Sequence, residues 1–208
     1  MPARRDGPGT LTTQYLAPEM SFPMKMVFAN QWLFGGLVEK QMSAKASTNA
    51  SIRTTTAATI FEAGVRDNVL PSRAQAVVNF RMLPGDSIGA VLEHVRKTVA
   101  DPRVQVQALP GSSEPSPVSD VEGFGYRAIE RALRSVFPEV LVAPGLMTAR
   151  ADIRHFEALS VNSYRFVPSW LRPEDVDRVH GLNERISAEN FERLVRFYFA
   201  LVKDSAGT

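Results

Sequence analysis

The chain has 208 residues, 44% of them apolar, which suffices to bury a real core in one ordinary domain or two small ones. Its 24 basic and 22 acidic residues leave a formal charge of only +2, so no nucleic-acid partner is implied. The absence of cysteine excludes disulfides, thiolate metal sites and a cysteine nucleophile, leaving any metal to imidazole and carboxylate ligands. Prolines at 2, 8, 18 and 23, with Gly7 and Gly9, predict an irregular stretch over residues 1–25. That stretch has no apolar core of a leader peptide, and no segment reaches membrane-span length, so a cytoplasmic product without a membrane partner is expected. From Phe28 to about Met42, Trp32, Leu33, Phe34, Leu37 and Val38 recur at helical spacing around Gly35 and Gly36, which predicts a partly buried helix.

RTTTAATIFEAG is β-branched and free of proline, and Gly64, Asp67 and Asn68 supply turn chemistry before Pro71. AQAVVNFRML alternates as a second strand, with Val77, Asn79 and Arg81 sharing a face. After PGD, Ser87 can cap a helix whose apolar stripe is Ile88, Val91, Leu92, Val95 and Val99. VQVQAL then alternates again, and strand, strand, helix, strand is part of a split βαβ, ferredoxin-like unit. PGSSEPSPVSD is the linker candidate. Beyond it come a helix from about Gly123 to Phe137, the apolar run VLVAPGLM, a short helix from Arg154 to Leu159 and a strand VNSYRFV. An α/β layer is the expectation. The last helix, capped by Ser187, carries Phe191, Leu194, Val195, Tyr198 and Val202 on one stripe.

Three places hold chemistry-bearing residues. His180 precedes Gly181 in a loop before the capped final helix, and its spacing fits either a metal ligand or a turn histidine bonded to Glu184. Asp152 and Arg154 follow an apolar run, where a carboxylate binds an ion and a guanidinium grips a carboxylate; an N-capping Asp152 with a solvated Arg154 is the commoner outcome of such a sequence. Asn68 and Arg81, thirteen positions apart across the hairpin, suit recognition of a carboxylate or an oxyanion, or else an ordinary exposed pair. Neither G-x-S-x-G nor a glycine-rich phosphate loop is present.

The segments TTTAATIFEAGVRDNVLPSRAQAVVNFRMLPGDS, VAPGLMTARADIRHF, YRFVP and RVHGLNERISAENFERLVRFYFALV, in that order, resemble the carboxypeptidase S-like branch of the zinc aminopeptidase, carboxypeptidase and aminoacylase family. The resemblance implies a mixed α/β fold: a partial ferredoxin-like lid and dimerisation domain, followed by the C-terminal α/β part of a catalytic domain that holds two zinc ions. Residues 1–52 are then a lead-in to the lid, 53–110 the partial lid, 111–120 the linker and 121–208 the catalytic segment. By the same resemblance His180 is a zinc ligand. Asn68 and Arg81 face the substrate carboxylate or carbonyl oxygen, and Asp152 and Arg154 lie near the pocket. The implied reaction is hydrolysis of a peptide or N-acyl amino acid by metal-activated water.

Two departures bear on this. The family's other zinc ligands and its base glutamate precede the matched region, so the chain is expected to begin inside the lid, to carry no complete catalytic set, and to be inactive alone. TARADIR stands where relatives carry Gly-Gly-Thr-Asp-Ser-Arg, with Ala149, Arg150, Ala151 and Ile153 in place of glycines and hydroxyls. The rival expectation is a non-catalytic scaffold that forms a homodimer through the lid or pairs with an upstream polypeptide along an open sheet edge.

Overall fold

The computed structural model describes residues 1–4, 8–148, 151–176 and 178–207. The chain divides into two compact units, Met1–Pro117 with Gly145–Arg150, and Val118–Pro144 with Ala151–Thr208. Among the described residues no helix is long and apolar enough to cross a membrane.

The first unit opens with helices where an irregular stretch is expected: α1 (Pro8–Leu16), a 3-10 turn (Ala17–Glu19), α2 (Phe22–Ala29), α3 (Gln31–Ser43) and α4 (Ala46–Ile52). Proline in a first helical turn loses no hydrogen bond, so Pro18 and Pro23 start their elements rather than break them. The helix expected from Phe28 to Met42 is therefore the end of α2 plus α3. Its face is also different: Gly35 is the buried residue, while Trp32, Leu33 and Leu37 are exposed.

β1 (Thr55–Ala63) and β2 (Ala74–Arg81) form an antiparallel hairpin, paired from Thr55↔Arg81 to Ala63↔Ala74 with a bulge between Ala58 and Ile60. The β-branched composition of β1 thus produces a strand as expected. At the hairpin base Ile52 and Leu83 are each 2% exposed, and Thr54 lies between them in a polar knot. Thr54 Oγ1 accepts from Leu83 N–H at 2.8 Å and donates to the Asp86 carboxylate. Arg4 donates to Asp86 Oδ1 at 3.1 Å and to the Pro84 carbonyl, and its own N–H bonds Ile52 O at 2.7 Å. The N-terminal segment is pinned in this way to the turn that launches α5 (Ile88–Val99).

α5 begins as read, with Ser87 Oγ accepting from Ala90 N–H at 3.1 Å, and Glu114 accepts from Ile88 N–H at 3.0 Å. It ends on Ala100 in the left-handed region (φ 51°). The strand expected at VQVQAL does not form. Arg103 grips Asp101 through a turn, the Val106 carbonyl accepts from the Arg96 side chain, and among the described residues no ladder partner lies alongside. The mixed α/β class holds, with a two-stranded sheet among the described residues.

The second unit is built on α6 (Phe124–Val136) against α8 (Ala188–Ala206), with a 3-10 turn at Asp152–His155 and α7 (Pro173–Val176) between them. Ala132, Leu133 and Phe197 are the centre of its core, with Ile129, Val136 and Leu201 packed around. Ser187 caps α8 by accepting from Asn190 N–H at 3.1 Å. The buried stripe of α8 is Asn190, Leu194, Phe197 and Leu201, one step round from the expected one; Phe191, Val195 and Val202 are exposed. Asn190 explains the rotation, because its amide satisfies both Trp170 N–H (3.1 Å) and Trp170 C=O (2.9 Å), which draws a polar residue inward. Neither VLVAPGLM nor VNSYRFV forms a strand. The second of these is held by side chains instead: Ser163 N–H donates to Ser119 Oγ at 2.8 Å and Asp120 N–H to Asn162 Oδ1 at 2.8 Å.

Candidate functional site

Each unit carries candidate residues. In the first, Asn68 sits in the exposed tip between β1 and β2, and Arg81 ends β2 opposite Thr55. Eight strand residues at a rise of about 3.4 Å put roughly 25 Å between them. The hairpin therefore separates the two residues that sequence spacing suggested as neighbours. Arg81 is exposed and donates from Nη1 to the Thr148 carbonyl at 3.1 Å, which leaves its other donors available for an anion.

In the second unit, Asp152 starts the 3-10 turn and is exposed; the N-cap is Ala151, without a side-chain bond, so Asp152 is not the cap that its position suggested. Arg154 belongs to the same turn, and its side chain lies outside the described residues, as do Ala149 and Arg150.

His180 lies in a run of tight turns after α7. Arg178 N–H bonds Asp175 O at 3.1 Å, and Gly181 N–H bonds Arg178 O at 2.8 Å. His180 itself takes φ 62° and Asn183 takes φ 61°. A left-handed conformation costs an L-residue roughly 1–2 kcal/mol, and glycine avoids that cost. Yet the histidine, not the adjacent Gly181, occupies it. Strain retained at a titratable loop residue is a mark of functional sites. The imidazole is exposed, while the backbone N–H of His180 donates to Glu184 Oε2 at 3.3 Å. Glu184 does order this turn, but through the main chain, which frees both ring nitrogens from that bond.

One residue that motif reading missed organises the loop. The Asp175 carboxylate lies 3.3 Å from Arg178 Nε and 3.4 Å from Arg185 Nε, so a single half-buried acid ties together the two arginines that bracket His180. The sequence signal is an acid followed by arginines three and ten positions on, which is weak without the fold. Among the described residues no three His, Cys, Asp or Glu side chains gather around a common point. A zinc site needs at least three protein ligands, so the described residues do not by themselves make up a zinc site, and no metal-dependent step is assigned to them.

Comparison with known proteins gives the context for this geometry. Residues 16–106 match the family described as the peptidase dimerisation domain. The chain is 45% identical over 204 residues to the N-fatty-acyl-amino acid synthase/hydrolase of Homo sapiens, covering 96% of this chain and 40% of that protein. To the corresponding protein of Danio rerio it is 42% identical over 201 residues, covering 96% and 39%. To the probable carboxypeptidase S-like 2 of Dictyostelium discoideum it is 38% identical over 195 residues, covering 94% and 38%. The chain thus spans about two fifths of the length of these curated relatives. No solved structure matches it. The carboxypeptidase S-like resemblance read from the four sequence segments is borne out.

Proposed function

We infer, from a peptidase dimerisation domain match at residues 16–106 and similarity along nearly the whole chain to carboxypeptidase S-like and N-fatty-acyl-amino acid synthase/hydrolase proteins, that the chain forms a lid and catalytic segment of a zinc-dependent hydrolase. The substrates are peptides or N-acyl amino acids. Residues 53–110 act as the lid, 111–120 as the connector and 121–208 as the catalytic segment. His180 is a zinc ligand in this reading, and the observation that carries it is its left-handed backbone beside an unstrained glycine. Arg81, with donors to spare, meets a carboxylate or a carbonyl oxygen. Asn68, Asp152 and Arg154 contribute to the substrate surface. Among the described residues no ligand cluster joins His180, and one imidazole cannot hold two ions, so in this reading the chain is inactive by itself.

A second reading is favoured by the exposed hairpin. Among the described residues its two strands leave unpaired outer edges, and the dimerisation domain match supports a homodimer or a scaffold that pairs along an edge. Calorimetric titration of the 208-residue chain with zinc, together with an N-acyl amino acid hydrolysis assay, separates the readings. Weak single-site binding that disappears in His180→Ala, without turnover, is expected for the hydrolase segment. No zinc binding, with dimers in sedimentation, favours the scaffold. Two tightly bound ions with turnover would overturn the inference that the chain is inactive alone.

A further inference from the structure

The helical lead-in of the first unit carries an apolar face that the hydrolase reading does not use. Phe22 and Met26 lie one turn apart on α2, and Trp32, Leu33 and Leu37 lie on one side of α3. All five are exposed, Phe22 to 74% and Trp32 to 83%. Contiguous exposed apolar surface marks a contact with something.

The join between the two helices fits an apolar medium. Asn30 is the only residue between α2 and α3, and its N–H and its side-chain amide both bond the Met26 carbonyl, at 3.2 and 2.8 Å. Its own carbonyl accepts from Leu33 and Phe34 N–H, each at 3.0 Å. Asn30 thus has its own N–H, amide and carbonyl all bonded within the tip, which lowers the cost of bringing this residue out of water.

Charge identifies the occupant. Between Met20 and Lys45 the chain places Lys25, Lys40 and Lys45, three of its five lysines, and none of its nineteen arginines. The single acid there, Glu39, faces Arg53 at 3.9 Å. Protein interfaces favour arginine and are depleted in lysine, whereas lysine stems lie along an apolar surface and keep their ammonium groups at an anionic headgroup layer. Tryptophan prefers the same depth. We propose that α2 and α3 dock on an anionic lipid surface, with Phe22, Met26, Trp32, Leu33 and Leu37 at the acyl boundary and Lys25, Lys40 and Lys45 among the headgroups. The attachment is peripheral, consistent with the absence of a spanning helix among the described residues. It does not depend on the catalytic reading.

The test is co-sedimentation of the 208-residue chain with phosphatidylcholine vesicles, with and without phosphatidylserine. The emission of Trp32 is followed in a Trp170→Phe background, since these are the two tryptophans. Binding only to anionic vesicles, with a blue shift of Trp32, is expected. Lys25→Gln with Lys40→Gln should weaken it by roughly 25-fold, about 5-fold per charge near the surface. Trp32→Ser should weaken it by about tenfold without altering the far-ultraviolet spectrum, because the side chain is exposed. Equal partitioning to both vesicles, or an unshifted Trp32, overturns the proposal. So does a chain that ignores vesicles but self-associates in sedimentation and loses that association in Trp32→Ser, which would assign the face to a second copy.

Discussion

Asn68 and Arg81 stand at opposite ends of one hairpin, Asn68 at its tip and Arg81 paired with Thr55 at its base. Separated by roughly 25 Å of strand, they cannot grip one amino-acid-sized group within one chain. Each therefore acts separately. A double-mutant cycle with Asn68→Ala and Arg81→Ala should give a coupling energy below about 0.5 kcal/mol in stability, as distant sites add. In a titration with an N-acyl amino acid followed by NMR, Arg81→Ala should remove shifts at the base without touching those at the tip. Strong coupling in either measurement would mean that the two residues share a ligand.

Thr54 is the keystone of the hairpin base. It is 1% exposed, and its hydroxyl serves both Leu83 N–H and the Asp86 carboxylate. Thr54→Val keeps the shape and removes both bonds, leaving the buried Leu83 N–H without its acceptor and the half-buried Asp86 carboxylate with Arg4 alone. The expected loss is about 2–4 kcal/mol, set by the desolvation of those groups. Thr54→Ser keeps the hydroxyl and should cost only about 1 kcal/mol for the missing methyl. Urea unfolding midpoints decide the matter, and equal losses for the two variants would show that packing, not polarity, dominates.

What could be read in advance follows a physical division. Ser87 and Ser187 were legible as caps because capping is local chemistry, and both make the expected bond three residues on. The two hairpin strands were legible from β-branched composition and turn residues. VQVQAL and VNSYRFV were misread because alternation marks strand propensity, while a strand exists only where a ladder partner lies beside it. The face of α8 was misread because Asn190 goes inward to serve Trp170, a long-range demand that periodicity does not contain. At the candidate site, His180 and Glu184 were visible as a pair. The bond between them uses the main chain, and the role of Asp175 between Arg178 and Arg185 needed the fold.

The left-handed His180 makes a stability prediction opposite to the usual one. Glycine accepts φ 62° without a Cβ penalty, so His180→Gly should stabilise the chain by about 0.5–1 kcal/mol once the extra freedom of the unfolded chain is deducted. His180→Asn, which tolerates the same region, should be close to neutral. A residue that costs stability where its neighbour type would not is explained by function. Chemical unfolding checks this directly. A clear destabilisation by His180→Gly would mean that the imidazole makes contacts that outweigh the strain, and the ligand reading would lose its support.

Tyr164 makes the stability of the second unit depend on alkaline pH. Its hydroxyl donates to the Asp120 carbonyl at 2.5 Å, beside the start of α6. Desolvation pushes its pKa above the ordinary 10.0, with Asp120 adding to the rise, although a backbone hydrogen bond from Tyr126 opposes it. The folded state therefore holds the phenolic proton more tightly than the unfolded chain does. The resulting stabilisation is complete below pH 10.0 and is lost as pH climbs through the raised folded value. Tyr164→Phe removes both the bond and the titration, so the stability gap between the two proteins should narrow once pH exceeds 10.0, as followed by urea midpoints. The ring's tight seat gives an independent check. A Cβ at Gly125 would sit 2.6 Å from Tyr164 Cε2, so Gly125→Ala should cost about 1–3 kcal/mol in the presence of Tyr164. In a Tyr164→Ala background the same change should cost much less, because the clashing ring is gone. An unchanged cost there would place the strain in the helix backbone rather than against Tyr164.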